Sequence, residues 1–109
     1  MSRDEIPPGT LYMLILKTLA RGGELHGYEI AKSVQLASQD VLQVEEGSLY
    51  PALQRMLIKG WVTAKWGVTA ENRRARYYRL TAEGRKQLAA EISDYERVMQ
   101  AIVRVIRTA

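Results

Sequence analysis

Residues 61–88, WVTAKWGVTAENRRARYYRLTAEGRKQL, constrain the fold more than any other stretch of this chain. Two runs of β-type residues flank a polar tip, NRRAR, and a capped helix follows at once. Bulky and smaller residues alternate in the first run through Trp61, Val62, Thr63, Ala64, Lys65 and Trp66. The second run, Arg76 to Leu80, sets Tyr78 and Leu80 on one face and Tyr77 and Arg79 on the other, because successive strand side chains point to opposite faces. Between the runs, Thr69, Ala70, Glu71, Asn72, Arg73 and Arg74 are too polar to bury. The pattern predicts a β-hairpin with a basic, solvated tip. Arg73, Arg74 and Arg76 have only Glu71 nearby to neutralise them, and forked guanidinium donors match phosphate oxygens, so an anionic partner is expected.

The rest of the chain places helices around that hairpin. Pro7, Pro8 and Gly9 end a loose N-terminal arm, Thr10 is positioned to cap, and Leu11, Leu14, Ile15 and Leu19 recur at helical spacing until Gly22 and Gly23. A second amphipathic stretch spans about 27–37, with Ile30, Ala31 and Val34 inward and Glu29, Lys32 and Gln35 outward. A polar link follows, with a short extended piece near Val41 to Val44. A third helix over 48–60 buries Leu49, Leu53, Met56 and Leu57 and ends at Gly60. Pro51 lacks an N–H, which suits the first turn of a helix, so Gly47 or Ser48 is the expected N-cap. Three helices, a hairpin and a further helix make up the order of a winged helix-turn-helix, a mostly α fold. Residues 1–80 are the expected winged helix-turn-helix domain and residues 81–109 a C-terminal dimerisation helix.

Composition narrows the partners. With 109 residues and 47% apolar content, the chain builds one domain with one core. Its net charge of +4 is unevenly spread: residues 1–60 hold six Lys/Arg against seven Asp/Glu, and residues 61–109 hold ten against five. Cysteine is absent, which excludes disulfides and thiolate metal sites. The longest apolar run, Leu11 to Leu16, falls far short of the ~20 residues that span a bilayer, and MSRDEIPPG lacks the layout of a signal peptide. A cytoplasmic protein is expected, with no membrane partner. No catalytic apparatus is visible: one histidine, three scattered aspartates (Asp4, Asp40, Asp94) and no glycine-rich phosphate loop. No enzyme activity, cofactor or metal is expected. His26 reads as a capping or packing residue, and Met13, Met56 and Met99 as apolar gap fillers.

Two surfaces carry the functional expectations. With its apolar residues inward, the third helix turns Ser48, Tyr50, Pro51, Gln54, Arg55 and Lys59 outward, where its N-terminal part can read base edges or hold phosphates. The alternative for that face is ordinary solvation of a polar surface. The last helix, about 82–107 and capped by Thr81, repeats Leu88, Ile92, Tyr95, Met99, Ile102 and Ile106 at spacings of 4, 3, 4, 3 and 4, an a/d seam. At 1.5 Å per residue this helix is roughly 39 Å long, more than three short helices can cover, so a second copy is expected along the seam. The alternative is an intramolecular seam against helix one, and Leu11 of that helix is counted with the expected interface.

The segments LHGYEIA (25–31), EEGSLYPALQRMLIKGWV (46–62) and RRARYYRLTAEGRKQL (73–88), in this order and spacing, resemble the PadR family of bacterial transcriptional regulators over about four-fifths of the chain. The resemblance implies a dimeric repressor on double-stranded DNA, with the third helix in the major groove and the wing, 67–76, on the adjacent backbone or minor groove. The single C-terminal helix is similar to the short branch of the family. By position, Tyr28, Ser48, Tyr50, Pro51 and the arginines Arg73, Arg74 and Arg76 fall on the family's DNA-facing surface, and Lys32, Gln54 and Arg55 are expected to join them. Trp61, Tyr78 and Leu80 fall on hairpin packing positions. Some short-branch relatives hold planar aromatic compounds between tryptophans of the last helix. Here that helix offers only Tyr95, so a small-molecule effector at the dimer interface is expected to bind weakly or not at all. The competing function is a winged-helix protein-interaction module for an acidic partner.

Overall fold

Leu16 joins Ile15 and Leu19 in the core, and the apolar stripe of the first helix is the side on which the molecule is assembled. In the computed structural model, which describes residues 4–109, the chain runs β1 (Asp4–Glu5), α1 (Leu11–Gly22), β2 (Glu24–His26), α2 (Gly27–Ala37), β3 (Leu42–Gln43), α3 (Glu46–Ile58), β4 (Val62–Val68), β5 (Arg74–Leu80) and α4 (Ala82–Ile106). Ile15, Leu16 and Leu19 of α1 meet Ile30 of α2 and Leu49, Leu53 and Met56 of α3, all essentially without exposure. Val62, Tyr78 and Leu80 of the hairpin close one side, and Leu88 of α4 closes another. The expected winged helix-turn-helix is the observed fold.

The hairpin pairs in register from Val62 opposite Leu80 to Val68 opposite Arg74. Tyr78 and Leu80 are buried, whereas Tyr77 is partly covered and Arg79 exposed, as the period of two requires. A third strand, which the sequence pattern does not show, completes the sheet. Glu24 to His26 pairs antiparallel with β5, giving the order β2-β5-β4. Three residues between a helix stop and a helix start are too few to show a period, so only pairing with a distant strand defines them. The N-terminal arm is also not loose where it is described: Asp4 and Glu5 pair parallel with Leu42 and Gln43, and the Asp4 N–H donates to the Val41 carbonyl at 2.7 Å.

Helix ends follow local chemistry with two exceptions. Gly60, at φ +76, closes α3 in a Schellman motif, its N–H donating to Leu57 at 3.1 Å and the Trp61 N–H to Met56 at 2.9 Å. His26 caps α2 in a reciprocal capping box with Glu29, which bears out its structural reading. Thr81 Oγ1 accepts from the Gly84 N–H at 3.0 Å and starts α4. Thr10, by contrast, caps nothing. Its backbone is helical rather than extended, and its hydroxyl donates backwards to the Pro7 carbonyl at 2.8 Å.

The second exception is the start of α3, which lies at Glu46 with Glu45 as N-cap, not at Gly47 or Ser48. Pro51 is therefore the sixth helical residue and lies beyond the first turn. The carbonyl that loses its donor belongs to Gly47, and both residues lie on the exposed side, where water can satisfy it.

The junction between hairpin and α4 is tight. A methyl group at Gly84 would fall inside the contact radius of the Trp61 carbonyl oxygen and 2.8 Å from Leu80 Cδ2. Backbone cannot yield as a side chain can. Gly84→Ala is expected to destabilise the fold by about 2–3 kcal/mol through overpacking, which lowers Tm by roughly 10 °C. Thermal unfolding within 2 °C of the parent would contradict this close approach.

Candidate nucleic-acid interface

Helical geometry sorts the outward side chains of α3. At about 100° per residue, Gly47, Pro51, Gln54 and Ile58 lie along the middle of the face opposite the core, with Tyr50 on one flank and Ser48 and Arg55 on the other. All seven are exposed, Ile58 by 77%. The flanks have different neighbours. Arg55 Nη1 donates to the Tyr12 hydroxyl of α1 at 3.3 Å, and Tyr12 in turn meets the edge of Trp61 at 5.9 Å between ring centroids. Its guanidinium is thus tied to α1. Gln54 has no such tie and points outward from the middle of the face.

Tyr50 links α3 to α2. A Cβ on Gly27 would stand 2.6 Å from the Tyr50 hydroxyl oxygen, so the phenol end lies directly against the start of α2. Partial burial, with smaller contributions from the Glu46 carboxylate and Tyr78, raises the Tyr50 pKa above its ordinary 10.0. The hydroxyl stays protonated and able to donate. Tyr28, 68% exposed, and Lys32 are four residues apart on one outward face of α2 beside it.

The expectation of an anion at the start of α3 is corrected by its true boundary. Glu45 and Glu46 flank the first turn, and the Ser48 and Leu49 N–H groups already donate to the Glu45 carbonyl at 3.0 and 2.9 Å. Two carboxylates at a helix N-terminus use the dipole themselves and repel a phosphate.

Positive charge is concentrated on the wing instead. Thr69 to Arg73 form the turn: the Thr69 N–H donates to the Arg73 carbonyl at 2.8 Å, the Arg73 N–H to Thr69 Oγ1 at 3.2 Å, and Asn72 takes up a left-handed φ of 61°. Arg73 sits in this turn, while Arg74 and Arg76 belong to β5 rather than to a loop. None of the three is in an ion pair among the described residues. Trp66, open to solvent near the tip, has both strand arginines over its ring. No spacing rule reveals that stacking in the sequence, because a cross-strand neighbour is defined only once the register is known.

The C-terminal helix divides its apolar seam. Leu88 is buried in the chain's own core, and Leu11 and Ile92 pack partly against it. Beyond Ile92, α4 runs clear: Tyr95, Met99, Ile102 and Ile106 are exposed, Ile106 by 73%. A groove of about 590 Å³ lies between this stretch and the N-terminal arm, lined by Pro7, Pro8, Met13, Tyr95, Met99 and Ile102.

Comparison with known protein families matches residues 15–90 to the transcriptional regulator PadR-like family. The chain belongs to this family. It is also similar to solved structures along nearly its whole length. A transcriptional regulator from Clostridium thermocellum is 27% identical with a TM-score of 0.82, covering 91% of this chain and 95% of the other. A PadR family transcriptional regulator from Eggerthella lenta is 28% identical with a TM-score of 0.77, covering 93% and 85%. A PadR family transcription regulator from Clostridium difficile is 27% identical with a TM-score of 0.74, covering 90% and 99%. The protein is a PadR-like transcriptional regulator, a DNA-binding protein and not an enzyme. No helix among the described residues is long and apolar enough to cross a membrane.

Proposed function

We propose that this PadR-like regulator is a cytoplasmic homodimeric repressor that sets the outward face of α3 in the major groove and the wing on the adjacent backbone or minor groove. The observation that carries the reading is the wing: Arg73, Arg74 and Arg76 stand together without an ion pair among the described residues, beside a recognition helix whose outer face is exposed. Ser48, Tyr50 and Pro51 meet the duplex from α3, and Tyr28 and Lys32 hold the backbone from α2. Gln54 reads a base edge, since an amide offers both a donor and an acceptor to adenine. Arg55, tied to Tyr12, approaches the backbone. The second copy covers Tyr95, Met99, Ile102 and Ile106, and its own α4 fills the groove beside the N-terminal arm. An acidic protein partner fits less well, because the forked guanidinium donors gathered in the wing turn and along the start of β5 match phosphate oxygens.

The test is capture of genomic fragments followed by titration of the recovered site against random duplex. Tight, steeply salt-dependent binding to one fragment is the expected result. Binding that is equal on all sequences, or flat in salt, would remove the reading. Within it, Gln54→Ala is expected to cost ~1–3 kcal/mol on the specific site and little on random duplex, whereas Arg55→Ala weakens both alike. Equal losses for Gln54→Ala on both duplexes would reassign that residue to the backbone.

A further inference from the structure

The inner face of the wing is built differently from its tip. In the β4–β5 register Val62 faces Leu80, Ala64 faces Tyr78, Trp66 faces Arg76 and Val68 faces Arg74. Directly opposed residues share one side of an antiparallel ladder, so these side chains form a single strip. Its base is core, with Val62, Tyr78 and Leu80 buried. Its outer half extends past the helices, where Trp66 is 58% and Val68 65% exposed.

An indole in that position contributes little to folding by burial. What it touches is charge. Arg74 Cζ lies 4.6 Å and Arg76 Cζ 6.0 Å from the ring centroid of Trp66. One ring therefore holds two guanidiniums that repel each other and that no carboxylate among the described residues neutralises. An anion placed between them relieves the repulsion. Arginines already held on a ring also lose less rotamer freedom on binding than free ones do.

We infer that Trp66 is a positioning residue of the wing, its indole holding Arg74 and Arg76 as one preformed clamp for phosphates of duplex DNA. This rests on the DNA-binding reading of the wing. The clamp differs from a simple sum of charges because removing the indole leaves the net charge unchanged.

A double-mutant cycle on the full chain separates clamp from charge and from mere support of the hairpin. Affinity for a labelled random-sequence duplex is measured by anisotropy across a salt series for the parent, Trp66→Leu, Arg74→Ala with Arg76→Ala, and all three together. Trp66→Leu is expected to weaken binding about five- to 150-fold in the parent, the range for losing the pre-ordering of two long side chains, and less than about twofold where both arginines are already gone. Trp66→Tyr, which keeps a ring, is expected to stay within about threefold of the parent. If Trp66→Leu has no effect in the parent, or the same effect in both backgrounds, the clamp is refuted. Should Trp66→Leu unfold, Trp66→Val, better suited to a strand, takes its place in the cycle. A parent that binds no duplex at any salt overturns the DNA-binding reading itself and the clamp with it. A parent that binds while the indole proves dispensable removes the clamp alone.

Discussion

Tyr95→Glu combined with Met99→Glu is expected to yield a monomer that binds a two-half-site operator about 10²–10⁴-fold more weakly than the parent, the range over which linked binding exceeds single-site binding. The physical basis is the division of the α4 seam. Leu88 is buried in the chain's own core and Ile92 packs against it, so neither is free to carry the proposed association. Tyr95 and Met99 are exposed, line the groove beside the N-terminal arm, and contribute little to the fold of the single chain. In the proposed dimer, carboxylates there would face a partner's apolar side chains and lose hydration without gaining a partner. Two recognition helices held ~34 Å apart, one turn of duplex, then no longer act as a pair. Sedimentation gives the mass, and circular dichroism should show an intact fold. A dimer of unchanged stability would show that the seam beyond Ile92 is not the interface.

Replacing Arg73, Arg74 and Arg76 together by alanine is expected to flatten the slope of log K against log salt by about 2–3 units, and to lower affinity by roughly two to three decades at 0.1 M salt, at ~0.9 per phosphate contact. The loss falls equally on operator and random duplex, because backbone contacts carry no sequence information. The three residues are free of ion pairs among the described residues, and Arg73 and Arg74 are exposed, so the fold should tolerate the change. The wing contrasts here with Gln54, whose loss is expected to act on discrimination. An unchanged salt slope would exclude the wing as a phosphate-binding element.

How much of this was readable in advance depends on the distance over which each feature is defined. The stripes of α1 and α3, the alternation that buries Tyr78 and Leu80, the glycine that ends α3 and the threonine that caps α4 are all set within one or two turns or one strand. So is the seam of α4, whose spacing is visible without a partner. The segments that carry the resemblance to the family lie in β2, α2, α3, the hairpin and the start of α4, and the family match over residues 15–90 spans them. The sequence points to Pro51 in a first turn, whereas the first turn of α3 is made by Glu46 and Gly47, residues with no strong start signal, and Pro51 follows it. The arm reads as loose in sequence because two residues of strand carry no pattern.

The sequence alone therefore determined which residues form helices, which form the hairpin and which faces are apolar, since helical and strand periods are properties of neighbouring residues. The tertiary structure decided the rest: that Glu24 to His26 completes the sheet, that Asp4 and Glu5 join Leu42 and Gln43, that Arg55 is held by Tyr12, that Leu88 is buried at home while Tyr95 is not, and that Arg74 and Arg76 share the ring of Trp66. Each of these is a contact between residues distant along the chain, or a division of one apolar stripe among several neighbours. Such contacts arise only when the elements are packed together and compete for the same surface.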